Sequence, residues 1–412
     1  MRLEPEEQAM LAGEFGPAAA RAMRLLLQYG RIMGADRLVP VVSAHIDGCL
    51  YHGPSSIDFA QSFVTLGGKV RVPTTLNVGA VDVVHPELHR GAADLIPAQR
   101  HLNALYAELG CAETLTCAPY QRIFRPAMGE HIAWAESNAI VFANSVLGAR
   151  TDRYGDFTDL CAALTGRVPN AGLHRDENRR AGFTFEPPAL AATGLSRDIY
   201  FAAIGYLIGS AADGRVPMIV GLEDGASEDE LKALGASAAS SGALALFHVA
   251  GVTPEAIHHY RDVEPPAGAE HIRAAADDLV AAVASLCPLE PGDPVAAMCL
   301  GTPHFSLAEF ETLAPLIEGR RKSPAVEAYI STSREIAAAV EGGPLGAVLA
   351  AFGIQLVVDT CTYLAPVVAS DGAIVTNSIK YAHYGPGNLD RQVGLLSMEL
   401  CVRAAILGKV AP

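Results

Sequence analysis

The chain has 412 residues, half of them hydrophobic and 18% charged, with a formal net charge of -15. That length supplies roughly two or three domain-sized units with ample core, and the composition excludes a disordered chain. The acidic balance excludes the basic patch of a nucleic-acid-binding surface and any pull towards anionic membranes. The opening MRLEPEEQAM is acidic and helix-like, without the basic-then-apolar order of an export signal, so a cytoplasmic protein is expected.

Residues 4–35 read as helices, interrupted over Gly13–Pro17. A strand over Leu38–Ser43 leads into His45-Ile46-Asp47-Gly48-Cys49, and a strand over Lys69–Val72 leads into a loop holding Asn77 and Gly79. Open α/β sheets bind ligands at such strand ends. His45 alone reads as a hydrogen-bonded structural histidine; beside Asn77 it becomes a candidate base. His85 and His89 are four apart, but Pro86 stands where the zinc-protease motif needs glutamate, so the pair marks a helix start. Residues 91–109 form an amphipathic helix closed by Gly110.

The stretch from Thr116 to Arg153 holds Cys117, the single tryptophan, and Glu136, Ser137, Asn138, Asn144, Ser145, Arg150 and Arg153. Polar and apolar residues alternate here in small groups, so a helix would carry polar groups on more than one face. Buried polar groups need partners, which fits either a functional site or a hydrogen-bond network joining two elements. Residues 169–188 follow as a long Arg- and Gly-rich loop or linker.

From Asp198 the pattern becomes regular: helix 198–211, strand 216–221, helix 228–239, strand 243–249, helix 254–260, helix 268–286. Strand 295–300, helix 306–318, strand 325–330, helix 333–350 and strand 353–359 complete it. Alternation of this kind predicts a mostly parallel sheet covered on both faces. Capping boxes at Ser227/Glu230, Ser306/Glu309 and Thr332/Glu335 mark helix starts, as does Thr253-Pro254. The uncharged runs Ala236–Pro254 and Gly342–Val358 divide into a buried helix plus a buried strand, not membrane spans. Thr376–Gly387, with Lys380, His383 and two tyrosines, reads as a polar loop able to clamp a carboxylate.

None of the eight cysteines forms a CxxC pair, and without an export signal their even number is no evidence of disulfides. Cys117, Cys299 and Cys361 each sit beside a turn residue at the end of an apolar element. Thiolates holding an iron–sulfur cluster need to converge only in space, and three of them leave one iron open to act on a hydroxyl. Three unrelated buried thiols are the plain alternative.

TC-x-PY at 116–120, AW-AES at 133–137, NS-x-LGAR at 144–150, GTPHFS at 301–306, DTC at 359–361 and TNS-x-K-x-x-HYGP at 376–386 together resemble the aconitase X family, as do LAGEFGPAAARAM and SAHIDG near the start. The resemblance runs from Met1 to the last helix. It implies an α/β fold like the large domain of aconitase, with mostly parallel sheets around a central cleft. The division expected is an N-terminal unit over 1–190 and a second over 191–412, with the small swivelling domain on a separate partner chain.

The resemblance also implies an iron–sulfur hydro-lyase. Cys117 and Cys361 match the family's cluster cysteines. The phosphomevalonate branch has GCPH where this chain has GTPH, so Thr302 replaces a cysteine; either Cys299 is the substitute or there is no third thiolate, and 2Fe–2S, 3Fe–4S and 4Fe–4S clusters stay open. Gly48, Cys49, Asn77, Glu136, Ser137 and Lys380 fall in motifs that face the substrate. Lys380 or Arg150 would hold a carboxylate, and Lys380, Ser137 and His45 are the catalytic candidates. In aconitase-like enzymes the base is a serine of the small domain, so the partner chain would bring it.

The GTPH variant favours dehydration of cis-3-hydroxy-L-proline, a small hydroxy acid, through an enamine to Δ1-pyrroline-2-carboxylate. The alternatives are a mevalonate 5-phosphate dehydratase large subunit, with phosphate at Arg179-Arg180 or the helix starting at Ser306, and a cluster-less scaffold subunit. A nucleotide-binding protein is disfavoured because neither GxGxxG nor GxxxxGK[ST] occurs.

Overall fold

Short apolar runs separated by Gly, Pro and capping Ser give this chain short strands joined by helices. In the computed structural model, which describes residues 1–222 and 225–411, the strands form three parallel sheets and one antiparallel ribbon. The ribbon pairs Leu38–Pro40 with Arg167–Pro169. A three-stranded sheet has Ala44–Ile46 between Thr74–Leu76 and Ala133–Trp134. A four-stranded sheet runs His248–Val249, Val216–Ile219, Ala181–Glu186, Glu270–Arg273. The five-stranded sheet runs Gln355–Val357, Glu327–Ser331, Val295–Leu300, Ala373–Thr376, Val393–Leu395. Every residue of Val295–Leu300 is buried, as a strand covered on both faces requires. The α/β class with mostly parallel sheets is the one the alternation predicts.

The boxes at Ser227/Glu230 and Ser306/Glu309 form, and Pro254 opens its helix. At the third box Ser333 is the cap, accepting from the Ile336 amide, because the Thr332 hydroxyl is spent on Phe305 O at 2.7 Å. Helix 333–350 is two helices, Arg334–Glu341 and Pro344–Phe352, bent by 92°. Gly342-Gly343-Pro344 supplies the break, since proline cannot continue the preceding hydrogen-bond ladder. Residues 268–286 begin as the strand Glu270–Arg273 before the helix Ala276–Ser285. That edge strand is largely exposed, so it carries no apolar signature.

The expected loop 169–188 contains Ala181–Glu186, an inner strand, so the four-stranded sheet draws on both sides of residue 190. The strand expected at 69–72 lies at Thr74–Leu76, and 376–387 forms most of a helix, Ile379–Leu389, capped by Ser378. The two uncharged runs divide as expected into helix and strand, and no single helix among the described residues is long and apolar enough to cross a membrane.

Helix Arg197–Ala212 lies against Glu228–Gly242 so closely that a Cβ on Gly205 would stand 2.0 Å from Leu234 O. The three-stranded and five-stranded sheets meet at the loops after their strands. The Gly79 amide donates to Asp359 O at 2.7 Å, and the Val358 amide to Asp82 Oδ2 at 2.9 Å. This junction is where polar residues from distant parts of the sequence converge.

Candidate active site

Three neighbouring parallel strands end here side by side. Ile46 is in register with Leu76 and His45 with Trp134, so the residues that follow, Asn77, Asp47 and Glu136, form a row at the carboxyl edge. Beyond Leu76, the Thr116 amide donates to Leu76 O at 3.1 Å and sets Cys117 at the end of the row.

Glu136 caps the helix Ser137–Ser145: its Oε2 accepts from the Ala139 amide at 2.6 Å. Its Oε1 accepts from Lys380 Nζ at 2.8 Å and from Ser137 Oγ at 3.3 Å. Glu136 and Lys380 are both buried. Burial opposes both charges, but each outweighs it for the other: Lys380, with two backbone amides, lowers the Glu136 pKa, and Glu136 raises that of Lys380. The pair is an ion pair, with Lys380 Nζ 5.8 Å from the Tyr363 ring centroid. Asn138 joins it to the cysteine end, donating to Cys117 O at 3.0 Å and Tyr120 Oη at 2.9 Å.

At that end the ligand atoms of Cys117, His304 and Cys361 all lie within 4.8 Å of one another, and all three residues are buried. Gly301 allows the approach: at φ 86° it turns the chain out of Val295–Leu300, and a Cβ there would stand 2.1 Å from Ser331 O. The His304 amide then donates to Cys117 Sγ at 3.2 Å. Both His304 ring nitrogens have partners, Thr116 Oγ1 at 2.9 Å and Thr360 O at 3.1 Å. His304 therefore braces the pocket, leaving two sulfurs as its free donors. Burial raises the Cys117 thiol, but the hydrogen bond with Cys361, the Lys380 charge and the His304 amide bring it below its ordinary value. That bond raises Cys361 in return. Thr302 Oγ1 is buried with no partner among the described residues. Thr302 and Lys380 also line a cavity of about 530 Å³ among the starts of the helices at Arg197, Glu228, Leu307 and Met398, whose lining does not include Cys117, Cys361, Glu136, Ser137 or Asp47.

Five candidates stand elsewhere. Cys299 is not in the group: its thiol bonds to Tyr381 and Thr362, and burial pushes it up to about 12. Cys49 is wholly buried and donates to Ile46 O at 3.3 Å and Asn77 O at 3.1 Å, so it closes its own loop. Arg150 pairs with Asp176 in a separate polar cavity with Arg37, His131 and His174, away from Lys380. His45 is fully buried, bonded through Nδ1 to Thr75 Oγ1 at 2.7 Å, and burial lowers it to about 4, a neutral core residue. Gly48 is buried beside Asp159, its amide 3.3 Å from Oδ2. Asn77, Glu136, Ser137 and Lys380 are brought together or adjoin the row. Two residues in the quoted motifs, Asp47 in SAHIDG and His304 in GTPHFS, join the site without having been singled out.

Replacing Cys299 by alanine is expected to leave bound metal unchanged and to cost about 1–2 kcal/mol of stability through the small cavity. Metal analysis of the purified variant checks this, and lost metal would restore Cys299 as a ligand.

Family models described as the first, second and third domains of aconitase X match residues 1–177, 188–284 and 295–407. A cis-3-hydroxy-L-proline dehydratase of Pseudomonas aeruginosa is 42% identical over 99% of this chain and 70% of its own length. The phosphomevalonate dehydratase large subunit of Thermococcus kodakarensis is 36% identical over 93% of this chain and 95% of its own. A crystal structure of Thermococcus kodakaraensis aconitase X in its holo-form superposes with a TM-score of 0.87 at 33% identity, covering 98% of this chain and 100% of that one.

Proposed function

This chain belongs to the aconitase X family, and we propose that within it the chain dehydrates cis-3-hydroxy-L-proline to Δ1-pyrroline-2-carboxylate. The observation that carries the reading is the buried Cys117–Cys361 sulfur pair beside the buried Glu136–Lys380 ion pair, at one junction of parallel strand ends. Two soft sulfur donors, an amide aimed at one of them and an unpartnered hydroxyl at Thr302 suit an iron–sulfur cluster. Cys117 and Cys361 would hold it. Such a cluster supplies a Lewis acid that polarises the hydroxyl to be lost.

Lys380 keeps its charge and has three donors, of which Glu136 takes one, so a substrate carboxylate can take another as a charge-assisted bond. Ser137, on the first turn of the adjoining helix, offers a hydroxyl at the same place.

The relatives named for hydroxyproline are 42% and 40% identical, those named for phosphomevalonate 36% or less. The phosphate sites that second substrate needs are already engaged. Arg179 is buried against Glu255 at 2.7 Å, Arg180 donates to Glu264 O at 2.9 Å, and the Ser306 hydroxyl bonds Asp229 at 2.7 Å. The phosphomevalonate relatives are named as large subunits; here too we place a small complementing subunit across the cleft.

The test is turnover of cis-3-hydroxy-L-proline and mevalonate 5-phosphate by anaerobically prepared protein, with and without that subunit. Turnover of the imino acid only with the subunit is expected. Turnover of the phosphate ester alone would overturn the substrate.

A further inference from the structure

We infer that Asp47 is a catalytic residue of this site, the group that gives a proton to the departing hydroxyl; the inference rests on the dehydratase reading above. Asp47 occupies the middle of the row, between Asn77 and Glu136, on the central strand of the three-stranded sheet. Its backbone is fixed by Asp159, whose Oδ2 accepts from the Asp47 amide at 2.7 Å. Asn77 Nδ2 donates to Oδ1, while Oδ2 makes no hydrogen bond among the described residues. Asn77 and Glu136 on either side are buried, but Asp47 is only partly so. The carboxyl is thus held at one oxygen and free at the other.

The other ionisable groups of the row are committed. Both Glu136 oxygens are bonded and its charge is paired, which leaves a weak base. Lys380 is held as an ammonium ion. The groups facing Asp47 are Glu136 across the strand edge, Asp156 just ahead of helix Thr158–Thr165, Asp159 in its first turn, and Cys49 on its own loop. Burial and the charges of Glu136 and Asp156 push Asp47 up to about 7 against the pull of Asn77. A carboxyl poised there exchanges a proton at neutral pH.

The substrate's stereochemistry calls for such a group. In cis-3-hydroxy-L-proline the carboxylate and hydroxyl share one ring face, so the C2 hydrogen lies on the other. The C2–H bond breaks on that face to an oxygen base of the complementing subunit, and its electron pair forms C2=C3. The C3–O bond breaks with its pair on oxygen, Asp47 gives its proton to that oxygen, and water leaves. Passage from enamine to imine then moves one proton from nitrogen to C3. Between turnovers water reprotonates Asp47 and takes the proton from the base.

The experiment compares wild type, Asp47→Asn and Asp47→Glu as metal-loaded enzyme with its subunit, over pH 5–9. Carboxylates of 13C-aspartate-labelled chain are titrated by NMR in parallel. Wild-type kcat is expected to fall as pH rises through about 7. Asp47→Asn should lose about 100- to 1,000-fold in kcat, lose that limb, and keep metal content, melting temperature and KM. Asp47→Glu should recover part of kcat with a shifted limb. A kcat for Asp47→Asn within tenfold of wild type, or a limb unchanged in that variant, overturns the inference. So does the absence of a carboxyl titrating near 7, whichever substrate is turned over. If mevalonate 5-phosphate alone is turned over, the substrate reading fails and the same profiles decide Asp47 on that substrate.

Discussion

Replacing either Cys117 or Cys361 by serine is expected to yield a folded protein without bound iron and without measurable turnover. Each cysteine is 2% exposed, and the two sulfurs lie within 4.8 Å of each other. A serine hydroxyl there stays protonated and makes a poor ligand for a soft metal. The expected loss in kcat is at least about three orders of magnitude, the scale of several kcal/mol of charge stabilisation removed from the transition state. The fold should survive, because Asn138 and the His304 amide anchor the segment through Cys117 O and a short approach that serine can accept. The measurements are iron and sulfide content, visible absorbance, and turnover with the complementing subunit, beside Cys299→Ala. Iron retained in either serine variant would place the metal elsewhere; iron lost from all three would make Cys299 a third ligand.

The asymmetry between Cys299 and the other two shows what the residues disclosed and what they hid. Cys299 lies in VAAMCL, a strand buried at all six positions. Alternation still operates: Cys299 and Ala297 join one core cluster, Met298 and Leu300 another. With both faces apolar, no pattern of polarity reveals which face a residue takes, so a cysteine at the strand end looks like one in the loop beyond. Cys117 and Cys361 lie past the last paired residue, where glycine, proline and polar neighbours mark a real loop. Glu136 and Ser137 drew notice in a stretch that mixes polar and apolar residues, and Lys380 in a polar segment, 376–387.

Arg150 and Asp47 needed the third dimension. Arg150 is claimed by Asp176, across a cavity assembled from residues near 36, 131 and 174. Asp47 reads as one acid in a glycine-containing loop until its amide is seen bound to Asp159, 112 residues on, and its side chain set between Asn77 and Glu136. Strand register, which brought that row together, depends on pairing partners that short strands of three residues barely announce.

Lys380→Met is expected to be the most costly single change to stability at the site, about 3–5 kcal/mol, because it strands the Glu136 carboxylate in the interior. Glu136→Gln should cost a similar amount by stranding the ammonium. The double variant Glu136→Gln/Lys380→Met should regain much of the stability while remaining inactive, since no cation is left for the substrate carboxylate. The pH dependence follows from the two directions of shift. Glu136 is lowered, so its contribution is complete above the ordinary glutamate value and fades as pH falls through its lowered one. Lys380 is raised, so its contribution is complete below the ordinary lysine value and fades only as pH rises through its raised one. Wild-type stability should therefore show no loss from this pair between roughly pH 5 and 10. In Lys380→Met the isolated carboxyl is raised by burial, and its penalty should shrink as the pH is lowered towards 5 and the group takes up a proton. Urea unfolding of the single and double variants at pH 5 and 8 measures this directly. Equal destabilisation of Lys380→Met at both values would mean that Glu136 finds another partner, and the pair would lose its place as the charged anchor of the site.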